Sequence, residues 1–88
     1  MVQAFEDAAP NAATVTAYDR DHIMLYICLL DRDANGQDWR KTVGAFFGID
    51  PELEPERARS VYDSHLGRAN ALTSIPQFAM MQRMAPYL

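Results

Sequence analysis

Two histidines, His22 and His65, one cysteine, Cys28, and two serines in one helical stretch, Ser60 and Ser64, are the side chains from which catalysis or metal binding would have to be built. A metal site needs several ligands at set spacings. Neither histidine has a second His or Cys in such a pattern, and Cys28 has no C-x-x-C partner. His65 falls on an apolar helical stripe and reads as a core residue, whereas His22 reads as a surface residue. Neither serine sits in the strand–turn–helix setting that presents a nucleophile. Asp31 and Asp33 are the kind of paired acids that commonly end a helix, and nothing around them marks a pocket. The four glycines are scattered singly, so no loop is suited to cradle phosphate. The pattern points away from an enzyme, and no metal or cofactor is expected.

Charge is more informative. Eight Lys and Arg stand against twelve Asp and Glu, a formal net charge of −4, with an isoelectric point near 4.9. Phosphate neutralisation supplies most non-specific DNA affinity, and here that contribution is weak or repulsive on average. The distribution sharpens the point. Asp50, Glu52, Glu54 and Glu56 fall within seven residues that contain no base. Opposite them stand Arg57, Arg59 and Arg68, with Arg40 and Lys41 earlier in the chain. These bases form a basic face only if they are not paired with nearby acids. Local pairing among Glu54, Glu56, Arg57 and Arg59 is the more common arrangement, each pair contributing about 0.2–0.5 kcal/mol.

The elements that position these charges are helical. Residues 1–15 are alanine-rich without a sustained period and read as a flexible N-terminal tail, with the folded domain at 16–88. Thr16 and Asp19 resemble a capping box with Asp in place of Glu, opening a helix to about Asp33 that Asn35-Gly36 stops. Ile23, Ile27 and Leu30 form one apolar stripe of this helix; Leu25 and Leu29 form a second, a candidate partner face. Asp38 caps a second helix to Phe47, with Trp39, Val43, Phe46 and Phe47 on one side and Gly44 placed to permit close helix contact. Gly48 ends it. Pro51 and Pro55 exclude a helix across the connection and suit the start of the next. The third helix runs from Pro55 to about Ser74, with Ala58, Val61, His65, Ala69 and Leu72 as its stripe. A short last helix is expected over 76–85. Its Met80, Met81 and Met84, with Tyr87 and Leu88, either close the core or form an adaptable docking patch. The architecture expected is all-α: a small bundle of three main helices plus a short C-terminal one, with a helix-turn-helix whose turn is extended.

Several stretches carry a resemblance: Thr16-Ala-Tyr-Asp-Arg, Leu29-Leu-Asp, Asn35-Gly-Gln-Asp-Trp-Arg, Phe47-Gly-Ile-Asp-Pro, Glu54-Pro-Glu-Arg-Ala-Arg and Ser64-His-Leu-Gly-Arg-Ala. Together they resemble the family called domain of unknown function 2285, over about residues 16–73. That family is understood as an extended-turn variant of the helix-turn-helix acting in transcriptional control of mobile genetic elements in proteobacteria. Some members are activators that bind DNA through a basic face. Others, of the QseM type, are stand-alone acidic antiactivators of conjugative transfer that bind the activator's N-terminal domain.

The acidic balance of this chain places it with the second kind. The resemblance then implies a cognate activator as partner, with a quorum-sensing regulator as a further one, no nucleic acid, and a monomer when free. Leu25, Leu29, Met80, Met84, Tyr87 and Leu88 are the candidate contact residues, and Asp50, Glu52, Glu54 and Glu56 the acidic surface that opposes DNA. The alternative is a DNA-binding regulator using Arg57, Arg59 and Arg68. A cytoplasmic setting is expected. The single cysteine suits a reducing compartment, the start of the chain lacks the pattern of a secretory signal, and the longest uninterrupted apolar run, 23–30, is too short to span a bilayer.

Overall fold

The computed structural model describes residues 4–75. Four α-helices follow in order: α1 (Ala17–Asp21), α2 (Ile23–Ala34), α3 (Trp39–Phe47) and α4 (Pro55–Leu72). No strand occurs among the described residues, so the fold is an all-helical bundle. The helix expected over 76–85 lies outside the described residues, as do Met80, Met84, Tyr87 and Leu88. No described helix is long and apolar enough to cross a membrane.

The expected capping box is present. The Thr16 hydroxyl accepts from the Asp19 N–H at 3.2 Å, and the Asp19 carboxylate accepts from the Thr16 N–H at 2.8 Å. The single helix expected after it is two, broken at His22, whose φ of −114° and ψ of 18° leave the helical region. The cause is local. His22 Nδ1 lies 2.7 Å from the Tyr18 carbonyl, which also accepts the His22 N–H at 3.0 Å, so the side chain intrudes on the backbone ladder.

Helix α2 buries Leu25, Tyr26 and Leu29, while Ile23, Ile27 and Leu30 stay half-buried. The second stripe, read as a partner face, is therefore the core face. Gly36, at φ +69°, follows the helix end, where a side chain would be strained.

Helix α3 is capped by Asp38, whose carboxylate accepts from the Arg40 N–H at 3.0 Å. It turns Val43 and Phe47 inward, with Trp39 and Phe46 at the margin. Gly48 ends it at φ +67°. Gly44 is not the close-contact residue it was expected to be: a Cβ there would meet only the Ile49 carbonyl, at an ordinary 3.8 Å.

Helix α4 begins with Pro55 in its first turn. All five residues of its expected stripe, Ala58, Val61, His65, Ala69 and Leu72, are buried. It packs against both α2 and α3 and is the spine of the bundle. Around it, one apolar cluster joins Leu25, Leu29, Val43, Phe47 and Val61, and a second joins Tyr26, Ala69 and Leu72. Each large side chain so buried contributes roughly 1.5–3 kcal/mol.

Residues 4–15 carry neither helix nor strand, in keeping with their lack of period. They are not a free tail, however. They lie along the body as a strap, held by side chains of α1, α4 and the His22 junction. Polar bonds to main-chain atoms, which leave no periodic trace in the sequence, hold it there.

Candidate protein-binding surface

Arg68, a candidate DNA contact by sequence, is buried instead. Its guanidinium holds the Asp19 carboxylate through Nε at 3.1 Å and Nη2 at 2.6 Å, and donates to the Ala12 and Thr14 carbonyls at 2.7 and 3.0 Å. The Tyr26 hydroxyl donates to the same carboxylate at 2.8 Å. Burial pushes the Asp19 carboxyl up, but Arg68, the Thr16 N–H and Tyr26 outweigh it and hold the group at about 2. Burial and the Asp19 charge push the Tyr26 phenol well above its ordinary range. With fixed partners for its fork, Arg68 cannot reach phosphate.

The other two candidate arginines are also engaged. Arg57 grips Asp7 of the strap through Nε and Nη2, both at 3.0 Å, with Glu54 more distant at 3.4 Å. Arg59 pairs with Asp63 at 3.0 Å, one turn on, rather than with Glu56, and its guanidinium stacks 4.8 Å from the Trp39 ring. The expected local pairing holds only in part: Arg57 keeps Glu54 as its more distant partner, its nearer one is Asp7, 50 residues away, and Glu56 has no ion pair among the described residues. Arg40 and Lys41 on α3 have no ion pair among the described residues. Arg40 instead lies over Trp39 at 5.2 Å.

The four carboxylates opposite them are all exposed. Asp50 shapes the connection: its carboxylate accepts from the Glu52 N–H at 2.9 Å and its carbonyl from the Glu54 N–H at 2.9 Å. Glu52, Glu54 and Glu56 then project around the entrance to α4, beside Leu53, which is 80% exposed.

The partner-contact residues fare differently. Leu25 and Leu29 are 6% and 0% exposed and belong to the core, so no partner reaches them without opening the fold. His22, expected at the surface, is buried as well. Its ring stacks on Tyr18 at 3.9 Å, and its two nitrogens face the Tyr18 and Ala4 carbonyls, each at 2.7 Å. His65 is in the core as expected. Its Nδ1 donates to the Val61 carbonyl at 2.8 Å, leaving Nε2 to accept from the Tyr18 hydroxyl at 2.7 Å. That hydroxyl in turn accepts from the Glu6 N–H at 3.0 Å. Burial lowers the His65 pKa, which suits the neutral ring this chain of bonds requires.

Phe5, Asp7 and Tyr18 were not among the candidate residues, and Ser64 was weighed only as a nucleophile. Phe5 packs edge-on against Phe47 at 5.0 Å, and Ser64 accepts from the Ala9 N–H at 2.7 Å. The one available signal was Phe5 itself, a lone aromatic in an alanine-rich stretch. Compared with family models, with curated proteins and with solved structures, the chain matches none.

Proposed function

We propose that this chain is a transcriptional antiactivator of the acidic kind, which binds the N-terminal domain of a cognate activator of conjugative transfer and does not bind DNA. The observation that carries the reading is electrostatic. Every arginine of α4 is engaged by a carboxylate. Of the four exposed acids at the entrance of that helix only Glu54 is ion-paired among the described residues, with Arg57, which leaves Asp50, Glu52 and Glu56 unbalanced. A duplex approaching along α4 meets repulsion first, and a helix-turn-helix outline without phosphate contacts is suited to mimicry rather than readout. The resemblance of residues 16–73 to domain of unknown function 2285, with the acidic balance that selects its antiactivator kind, supplies the biological side of the reading, including a setting in the cytoplasm.

The deciding experiment is co-purification with the isolated N-terminal domain of the activator. A complex at micromolar concentration is expected, and its absence overturns the reading. The DNA-binding alternative rests on Arg57 and Arg59 once Arg68 is withdrawn, and both sit in exposed ion pairs. A mobility shift at low salt that weakens steeply with added salt would restore it.

A further inference from the structure

The body holds the strap in an uneven way. Most of the bonds go to strap main chain: His22 Nε2 to the Ala4 carbonyl, the Tyr18 hydroxyl to the Glu6 N–H, Ser64 Oγ to the Ala9 N–H, and Arg68 to the Ala12 and Thr14 carbonyls. On the body side every one of these groups is a side chain. Two strap side chains are read in addition. Phe5 enters an aromatic corner formed by Phe47 and His65, at ring distances of 5.0 and 6.3 Å. Asp7 is met by the planar fork of Arg57.

Main-chain bonds with two side-chain requirements are the way an extended peptide is recognised, and the strap is one that uses small residues elsewhere. It also underfills its seat. A cleft of about 270 Å³, open to solvent, remains between Ala9, Pro10 and Asn11 on the strap and Ser64, Gly67, Arg68 and Ala71 on α4. Asn11, Ser64 and Arg68 give it a polar border beside the apolar path from Ala9 to Ala71. The floor of that cleft is open, for a Cβ placed on Gly67 would find nothing within 4 Å.

We propose that this groove is a binding site for an extended segment of another protein, with residues 4–14 as its resident stand-in. The segment carries an aromatic residue two positions before a carboxylate and a large apolar residue two positions after it. The apolar residue occupies the cleft that Ala9 leaves open. A second copy of this chain fits less well, because its strap carries the same small residues and competes with a tethered segment at an effective concentration of about a millimolar. The site does not depend on the partner being a transcriptional activator.

The test uses the full chain and a fluorescent peptide with the sequence of residues 4–14, in its own form and with Ala9→Leu. Phe5→Ala/Asp7→Ala in the protein loosens the tethered strap. That chain is expected to bind the Ala9→Leu peptide at least about tenfold more tightly than the unaltered chain does, and about tenfold more tightly than it binds the parent peptide. Adding Gly67→Leu to the protein fills the cleft floor and is expected to erase the advantage of the leucine. Absence of binding up to about 1 mM peptide, or equal binding by loosened and unaltered chains, overturns the proposal. If circular dichroism shows the loosened chain unfolded, hydrogen exchange on the unaltered chain decides. Faster exchange at Glu6 and Ala9 with excess Ala9→Leu peptide supports displacement, and unchanged exchange refutes it. A concentration-dependent dimer formed by exchanging straps would name a second copy as the occupant and overturn the commitment to another protein.

Discussion

Arg68 and Asp19 meet across 49 residues of chain, with Nε on one carboxylate oxygen at 3.1 Å and Nη2 on the other at 2.6 Å. The same carboxylate caps α1, so one buried pair fastens the start of α1 to α4 and, through the Ala12 and Thr14 carbonyls, to the strap. Arg68→Met keeps most of the volume and leaves Asp19 charged and without its cationic partner. A loss of about 3–5 kcal/mol is expected, the range for breaking one side of a buried pair. Urea unfolding measures it, and a loss under about 1 kcal/mol would mean that Asp19 is satisfied without the guanidinium.

Acid should weaken the fold in two windows. His65 has a pKa below its ordinary 6.5 because burial disfavours the charged ring. Asp19 has a carboxyl held at about 2 against an ordinary 3.8. In both cases the folded chain binds fewer protons than the unfolded chain, so stability rises with pH through each window. The His65 contribution is complete above about pH 6.5 and is lost as pH falls through its lowered value. The Asp19 contribution is complete above the ordinary carboxylate range and is lost as pH falls toward about 2. It amounts to roughly 2 kcal/mol. Urea midpoints measured from pH 8 to 2 should fall in these two intervals. A midpoint that stays flat down to about pH 3 rules out the first.

Much of this arrangement is legible in the sequence, and the reason differs from residue to residue. The α4 stripe follows the helical period and is buried throughout. Arg68 stands seven residues after Val61, so that period also places it on the inner side; its charge obscures the fact. Period alone did not choose between the two stripes of α2, because both are apolar and only the tertiary position of α4 decides which faces inward. The strap is the least legible part. Apart from Phe5 and Asp7, its attachment rests on main-chain carbonyls and N–H groups, which carry no sequence signature. Leu29, read as a partner-face residue, is fully buried, whereas Leu53, on which the periodicity places no expectation, is 80% exposed. Leu29→Ala should cost about 2–5 kcal/mol as a cavity in the core. Leu53→Ser, at a site 80% exposed, should stay within about 0.5 kcal/mol of the parent. Thermal unfolding of the two variants side by side distinguishes them, and similar losses would mean that Leu53 is covered in solution.

Tyr18→Phe separates the strap from the core. The hydroxyl donates to His65 Nε2 at 2.7 Å and accepts from the Glu6 N–H at 3.0 Å, so its removal strands one buried acceptor and one strap donor. A destabilisation of about 1–3 kcal/mol is expected from the buried histidine. The Glu6 amide should also exchange with solvent faster while the α4 amides near Val61 lose protection only by the global amount. Equal acceleration at both places would show that the strap and the bundle open together.

The carboxylates around the entrance of α4 lend themselves to a direct reversal. Glu52→Lys/Glu54→Lys/Glu56→Lys changes three exposed residues, each by +2, and moves the formal net charge from −4 to +2. It also removes the weaker of the two acids beside Arg57. Long-range repulsion is set by these charges, and no buried contact depends on them, so the variant should keep its helical signal. At low ionic strength it is expected to retard duplex DNA without sequence preference, whereas the unaltered chain leaves the duplex free. Raising the salt from about 50 to 200 mM should abolish the retardation, because it rests on counterion release from a few phosphates. Retardation by the unaltered chain that persists at the higher salt would mean that the acidic entrance does not govern the approach of DNA.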